Sequence, residues 1–99
     1  MNFTELMRLA GGHVEARLTQ TALELAIFDA VEDSAATAET VANRLKLEPK
    51  ATELLLNALV ALGLLHKSKE HFSLTETAAR YLVNSSPQYV GAMIRFESL

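Results

Sequence analysis

The sequence predicts a mainly α-helical domain built around a helix, a turn, a second helix and a two-stranded hairpin. Three stretches carry that prediction. Residues 52–65, TELLLNALVALGLL, read as a largely apolar helix stopped by Gly63 and running into a strand. A shorter helix, 37–45, precedes it, and a charged hairpin, 64–74, follows it. This is the element order of a winged helix-turn-helix, with further helices expected at both ends.

Residues 3–32 are helical in pattern, interrupted at Gly11-Gly12, where each glycine costs about 1 kcal/mol in a helix interior. Beyond the pair, Val14, Leu18, Ala22 and Leu25 recur at helical spacing, with Leu23, Ile27 and Val31 in a second row. Phe3, Leu6, Met7 and Leu9 add apolar surface before it. An extra core helix is one reading. A dimer interface through Phe3, Leu6, Met7, Val14, Leu18 and Leu25 is favoured, because the apolar surface outruns the core of so short a domain.

Glu32-Asp33-Ser34 ends that helix. Thr37 is placed to cap the next one, Glu39 falls in its first turn, and Val41, Ala42 and Leu45 form its inner face. Lys46-Leu47-Glu48 is the turn, and Pro49 suits the first position of the second helix. At about 100° per residue, Lys50, Glu53, Asn57 and Val60 share the face expected to be exposed, with Leu55, Ala58, Leu59 and Leu62 opposite. One lysine cancelled by one glutamate, beside one asparagine, is a poor face for reading bases.

Strands are expected at 64–67 and 71–74, joined through Ser68-Lys69-Glu70, with Leu65, Phe72 and Leu74 inward. Lys67 and Lys69 could touch phosphate, but Glu70 sits beside them, and a solvated tip is the favoured reading. Ser73 with Glu76, or Thr75 instead, caps a helix through Val83 docked by Ala78, Ala79 and Leu82. After Asn84-Ser85-Ser86, Pro87 starts a last helix, with Tyr89, Met93 and Phe96 on one face and Val90 and Ile94 beside it. The chain stops at Leu99 while still apolar and helical in pattern, as a piece of a longer protein would.

Ninety-nine residues make one domain. A net charge of -3, with nine basic residues dispersed, lacks the basic stripe of a nucleic-acid binder. No apolar run approaches the roughly 18 residues of a membrane span, and nothing at Met1 resembles a signal peptide. The absence of cysteine excludes disulfides and thiolate metal sites, so a cytoplasmic setting is expected.

Three segments together resemble S-adenosylmethionine-dependent O-methyltransferases of the plant caffeate and bacterial hydroxyneurosporene type. ALELAIFDAV at 22–31 is similar to that family's A-x-E-L-G-I-F-D-x-L, and TAETVANRLKLEPKATELLLNALVALGLL at 37–65 to its helix-turn-helix. FSLTETAARYLV at 72–83 is similar to its Y-x-L-T-x-x-G-x-x-L. The likeness runs from about Gly12 to Phe96. It departs at Ala26 and Ala78, where the family usually has glycine, and at Thr52 and Glu53, one of which replaces a frequent arginine.

The resemblance implies that 1–99 is a single dimerisation domain, that a Rossmann-like methyltransferase domain is absent from this chain, and that S-adenosylmethionine belongs to the longer protein. It also implies a homodimer paired through the N- and C-terminal helices, and a pocket for a small-molecule acceptor walled in part by Tyr89, Met93 and Phe96. No catalytic, cofactor or metal residue is expected here. The glycines form no Gly-x-Gly turn, and His13, His66 and His71 lack the partners of a catalytic base or a metal site. A small dimeric winged-helix transcriptional regulator is the alternative, and a stand-alone interaction module a further one.

Overall fold

The computed structural model describes residue 2 and residues 13–96, without the side chains of His13, Arg95 and Phe96. Helix α1, His13–Glu24, is followed at once by the short α2, Ile27–Ala30. The sequence reads as one helix here, but Ala26 is left-handed, at φ 62 and ψ 32, and the helix breaks. The break turns the chain so that Ala22 and Leu23 before it, and Ile27, Phe28 and Val31 after it, all reach one core. Ala26 is also where the resembled family has glycine, the residue that takes this conformation without steric cost.

Strand β1, Ala36–Thr37, leads into α3, Ala38–Leu45, and α4, Pro49–Ala61. Thr37 caps α3 as expected, its Oγ1 accepting from Thr40 N–H at 3.2 Å. Lys46 ends the helix in the left-handed region, and the Glu48 carboxylate caps α4 by accepting from Ala51 N–H. Gly63, at φ 82, turns the chain out of α4.

The hairpin that follows is β2, Leu65–Ser68, and β3, His71–Leu74. Ser68 pairs with His71, so only Lys69 and Glu70 form the turn, at φ 47 and 68. That is the pair of positive φ values a type I′ turn requires, met here without asparagine or glycine. β1 adds a third strand to the expected hairpin, pairing antiparallel with β3 in the order β1-β3-β2. Leu65 and Phe72 are fully buried and Leu74 packs at the edge of the core.

Thr75, not Ser73, caps α5, Glu76–Tyr81, accepting from Ala78 N–H at 3.3 Å and donating to the Leu64 carbonyl at 3.2 Å. The helix is shorter than expected. Leu82 and Val83 enter the core beyond its end, and Ala79 faces solvent. The last described helix, α6, Gly91–Phe96, begins four residues after Pro87. Local turn bonds hold the chain before it: Tyr89 N–H donates to the Ser86 carbonyl, and Ser86 Oγ donates to the Arg80 carbonyl at 2.6 Å.

On α4 the buried row is Thr52, Leu56 and Leu59. The expected wheel was therefore rotated: Ala58 and Leu62 lie at its half-buried flank, and Leu54 points outward with 66% of its surface exposed. Thr52 enters the core because its hydroxyl donates to the Glu48 carbonyl at 2.8 Å, which removes the penalty for burying it. No helix among the described residues is long and apolar enough to cross a membrane.

Two stability outcomes follow from these backbone conformations. Ala26→Gly stabilises the fold by about 0.5–1 kcal/mol, whereas Ala26→Val destabilises it by more than about 1 kcal/mol; urea unfolding midpoints measure both. Replacing Lys69-Glu70 by Asn-Gly raises the midpoint as well, by about 1 kcal/mol of stability. The Lys67–Glu70 ion pair it removes, 3.9 Å apart with Glu70 largely exposed, is worth about 0.5 kcal/mol at most.

Candidate functional site

The face that a helix-turn-helix would turn to DNA is closed by its own contacts. Lys67 Nζ on the wing donates to Asn57 Oδ1 on α4 at 3.0 Å and stands 5.2 Å from the centre of the Phe72 ring. The wing cation and the helix amide thus satisfy each other. Beside them a cleft of about 430 Å³ is lined by Thr37, Ala38, Glu39, Pro49, Lys50, Glu53 and Glu70. Three carboxylates against one ammonium repel a phosphate backbone.

The opposite face of α4 is different in kind. A groove of about 290 Å³ between the end of α1 and the start of α4 is lined by Thr21, Leu25, Leu47, Glu48, Ala51, Thr52 and Leu55. Glu48 is its one ionisable residue. Leu54 stands exposed one turn along α4 from Ala51, and Leu62 is half-buried further on. Val14, 40% exposed, and half-buried Leu18 extend the apolar shoulder of α1 on the side of Leu25. Leu25, Leu18 and Val14 are therefore brought into one row. Phe3, Leu6 and Met7, the remaining expected interface residues, lie outside the described residues.

The expected pocket wall is divided. Tyr89 precedes α6 and packs against the core; its ring fills the space where a Cβ on Gly91 would sit. Met93, on α6, is 67% exposed and points away from the core that Ile94 joins. They do not share the single helical face expected, because the helix starts after Tyr89 rather than at Pro87. The backbone of Phe96 completes α6, but its side chain lies outside the description.

Two residues that patterning did not single out matter here. The helical wheel assigned Leu54 to neither face of α4. Gln20 is only 8% exposed and donates from Nε2 to the Ile94 carbonyl at 3.3 Å, joining α1 to α6. Its spacing to Leu23 and Ile27 marks it as part of the buried row, the one signal in the sequence that could have found it.

His66 and His71 are both exposed and do not oppose each other: their cross-strand neighbours are Ser73 and Ser68. His71 Nδ1 lies 3.0 Å from the Lys69 carbonyl. Among the described residues no group of three or more His, Asp or Glu side chains is placed to hold a metal ion.

Comparison with known proteins fits the apolar side. Residues 7–84 match the family model of the O-methyltransferase dimerisation domain. The chain is 35% identical over 92 residues to 3-hydroxy-5-methyl-1-naphthoate 3-O-methyltransferase of Streptomyces sahachiroi, covering 93% of this chain and 27% of that protein. It is 33% identical over 89 residues to N,N-dimethyltransferase OxyT of Streptomyces rimosus, covering 90% and 26%. The solved structure of PigF with SAH superposes with a TM-score of 0.86 at 28% identity, over 99% of this chain and 29% of that one. The chain thus spans about a quarter of the length of its curated relatives. Its fold and the match over 7–84 agree: the chain belongs to the O-methyltransferase dimerisation domain family.

Proposed function

We propose that this domain pairs with a second copy of itself within an S-adenosylmethionine-dependent methyltransferase and contributes part of the wall of the acceptor pocket. The observation that carries the reading is the largely apolar face across α1 and α4. Leu54, more than half exposed, stands beside a groove with one ionisable residue, and an apolar surface of this kind marks a contact to be covered. Val14, Leu18 and Leu25 continue it along α1, and Phe3, Leu6 and Met7 would extend it from the preceding segment.

In this reading the domain brings no catalytic group. S-adenosylmethionine would be bound by a separate Rossmann-like domain of the longer protein, a role supported by the SAH in the PigF structure. The residues described here do not fit that cofactor. Gly63 closes α4 and Gly91 lies under the Tyr89 ring, so neither opens a strand-to-helix turn for phosphate or ribose. A cytoplasmic setting goes with the same reading.

Met93 is the leading candidate for an acceptor contact, since its thioether is exposed on a helix whose other side is docked on the core. Tyr89, packed on the core ahead of α6, is a weaker candidate, and Phe96 would stand one turn further on from Met93. The two relatives named above carry out, by their names, an O-methylation and an N,N-dimethylation. Such a domain is therefore compatible with either acceptor atom, and an aromatic acceptor suits the apolar wall.

Sedimentation equilibrium of the chain at tens of micromolar should give a dimer; a clean monomer would sink the proposal. Leu54→Glu should weaken that dimer at least tenfold, since each interface loses roughly 1.5–3 kcal/mol of leucine burial. Its circular dichroism and melting should stay close to those of the parent chain, because the residue is exposed in the single domain. Duplex DNA at low salt should bind no tighter than about the micromolar limit of non-specific contacts; tighter, salt-dependent binding would restore the regulator reading.

A further inference from the structure

We propose that Gln20 is a positioning residue: it fastens α6 to α1 and so sets the outward presentation of Met93. The inference rests on the reading above that α6 forms part of an acceptor wall. Six residues make under two turns, too short a helix to persist in water by itself. What holds α6 must come from elsewhere in the domain.

Three contacts supply that hold. Val90 N–H donates to the Tyr81 carbonyl at 2.9 Å, tying the entry of α6 to the end of α5. Gly91 lets the Tyr89 ring fold over the first turn, where any side chain would collide with it. Gln20 then reaches across 74 residues of sequence to the Ile94 carbonyl. That carbonyl is among the last four of the Gly91–Phe96 helix, the group that lacks an acceptor role within the helix itself. Gln20 acts as a cap delivered from another helix. The first two contacts locate the start of α6; the third, together with the packing of Ile94 on the core, holds its rotation with Ile94 inward and Met93 outward.

The position of Gln20 gives the clamp a second consequence. Burying a primary amide is unfavourable unless it is bonded, so a glutamine in the row of Leu23 and Ile27 is retained for its partner and not for packing. The same helix carries Val14 and Leu18 on its outer shoulder, with Leu25 just beyond its end. One rigid element thus holds the partner-facing row on one side and the setting of α6 on the other.

Hydrogen exchange of the whole chain, read by mass spectrometry on residues 91–96 against α4 as internal reference, tests the clamp. Gln20→Leu keeps the apolar packing and removes the donor; the amides of α6 should exchange about two- to tenfold faster, the range one side-chain hydrogen bond supplies, while sedimentation still shows the dimer. Gln20→Glu should lose the same protection at about pH 8, where the carboxylate cannot donate, and regain it toward about pH 4 as the protonated carboxyl becomes a donor. Unchanged α6 protection in Gln20→Leu, or no pH-dependent recovery in Gln20→Glu relative to α4, would overturn the proposal. Failure of the wall reading looks different. Met93→Ala in the longer enzyme would then leave the acceptor KM unchanged, with the exchange results for Gln20 intact.

Discussion

The left-handed residue at Ala26 is the constraint from which the rest of the domain is hung. By breaking the helix it creates α2, a single turn whose apolar side is sunk in the core and whose polar ends serve as anchor points. Arg44 of α3 donates to the Ala30 carbonyl at 2.6 Å, capping α2 and locking it to the helix-turn-helix. Asn84 N–H donates to Asp29 Oδ1 at 3.0 Å, and Ser85 donates to the Glu32 carboxylate. These bonds tie the turn before α6 to the same hub. A continuous helix through 32 would carry Asp29 and Glu32 away from both partners. The cost of one strained alanine, about 1–2 kcal/mol, is offset by the several charge-assisted bonds and the buried Ile27 and Phe28 that the break allows.

Most of the local punctuation could be read from residue chemistry, because it depends on groups adjacent in sequence. Thr37 and Thr75 cap through their own hydroxyls, Pro49 starts a helix where its N–H is dispensable, and Gly63 takes a positive φ. What patterning missed depends on distant partners. Nothing about alanine announces a left-handed backbone; it is the best helix former, and only the glycine of the resembled family pointed to the break. The burial of Thr52 depends on its bond to the Glu48 carbonyl, which the polar character of its side chain does not announce, and the buried arc of α4 is set with it. The bond between Val90 and Tyr81 likewise overrides Pro87 in deciding where α6 begins.

For the candidate site the same division holds. Val14, Leu18 and Leu25 were legible as an apolar row from their spacing, whereas Met93 was named only through the family resemblance. Leu54 and Gln20 were not. One follows from which arc of α4 the core takes, the other from a contact spanning nearly the whole chain. The helix-turn-helix keeps its geometry while its chemistry has been turned inward. Lys67 of the wing is engaged with Asn57, and carboxylates fill the cleft at the helix N-termini.

The packing of Tyr89 over Gly91 reaches beyond this one molecule. The two positions share a single volume, since the ring occupies the space a side chain at 91 would need. Drift at either one is therefore tied to the other: a relative with alanine or serine at the position of Gly91 must carry a smaller residue at that of Tyr89, or swing its ring outward. Paired change at these two sites among related sequences would be the record of that shared volume.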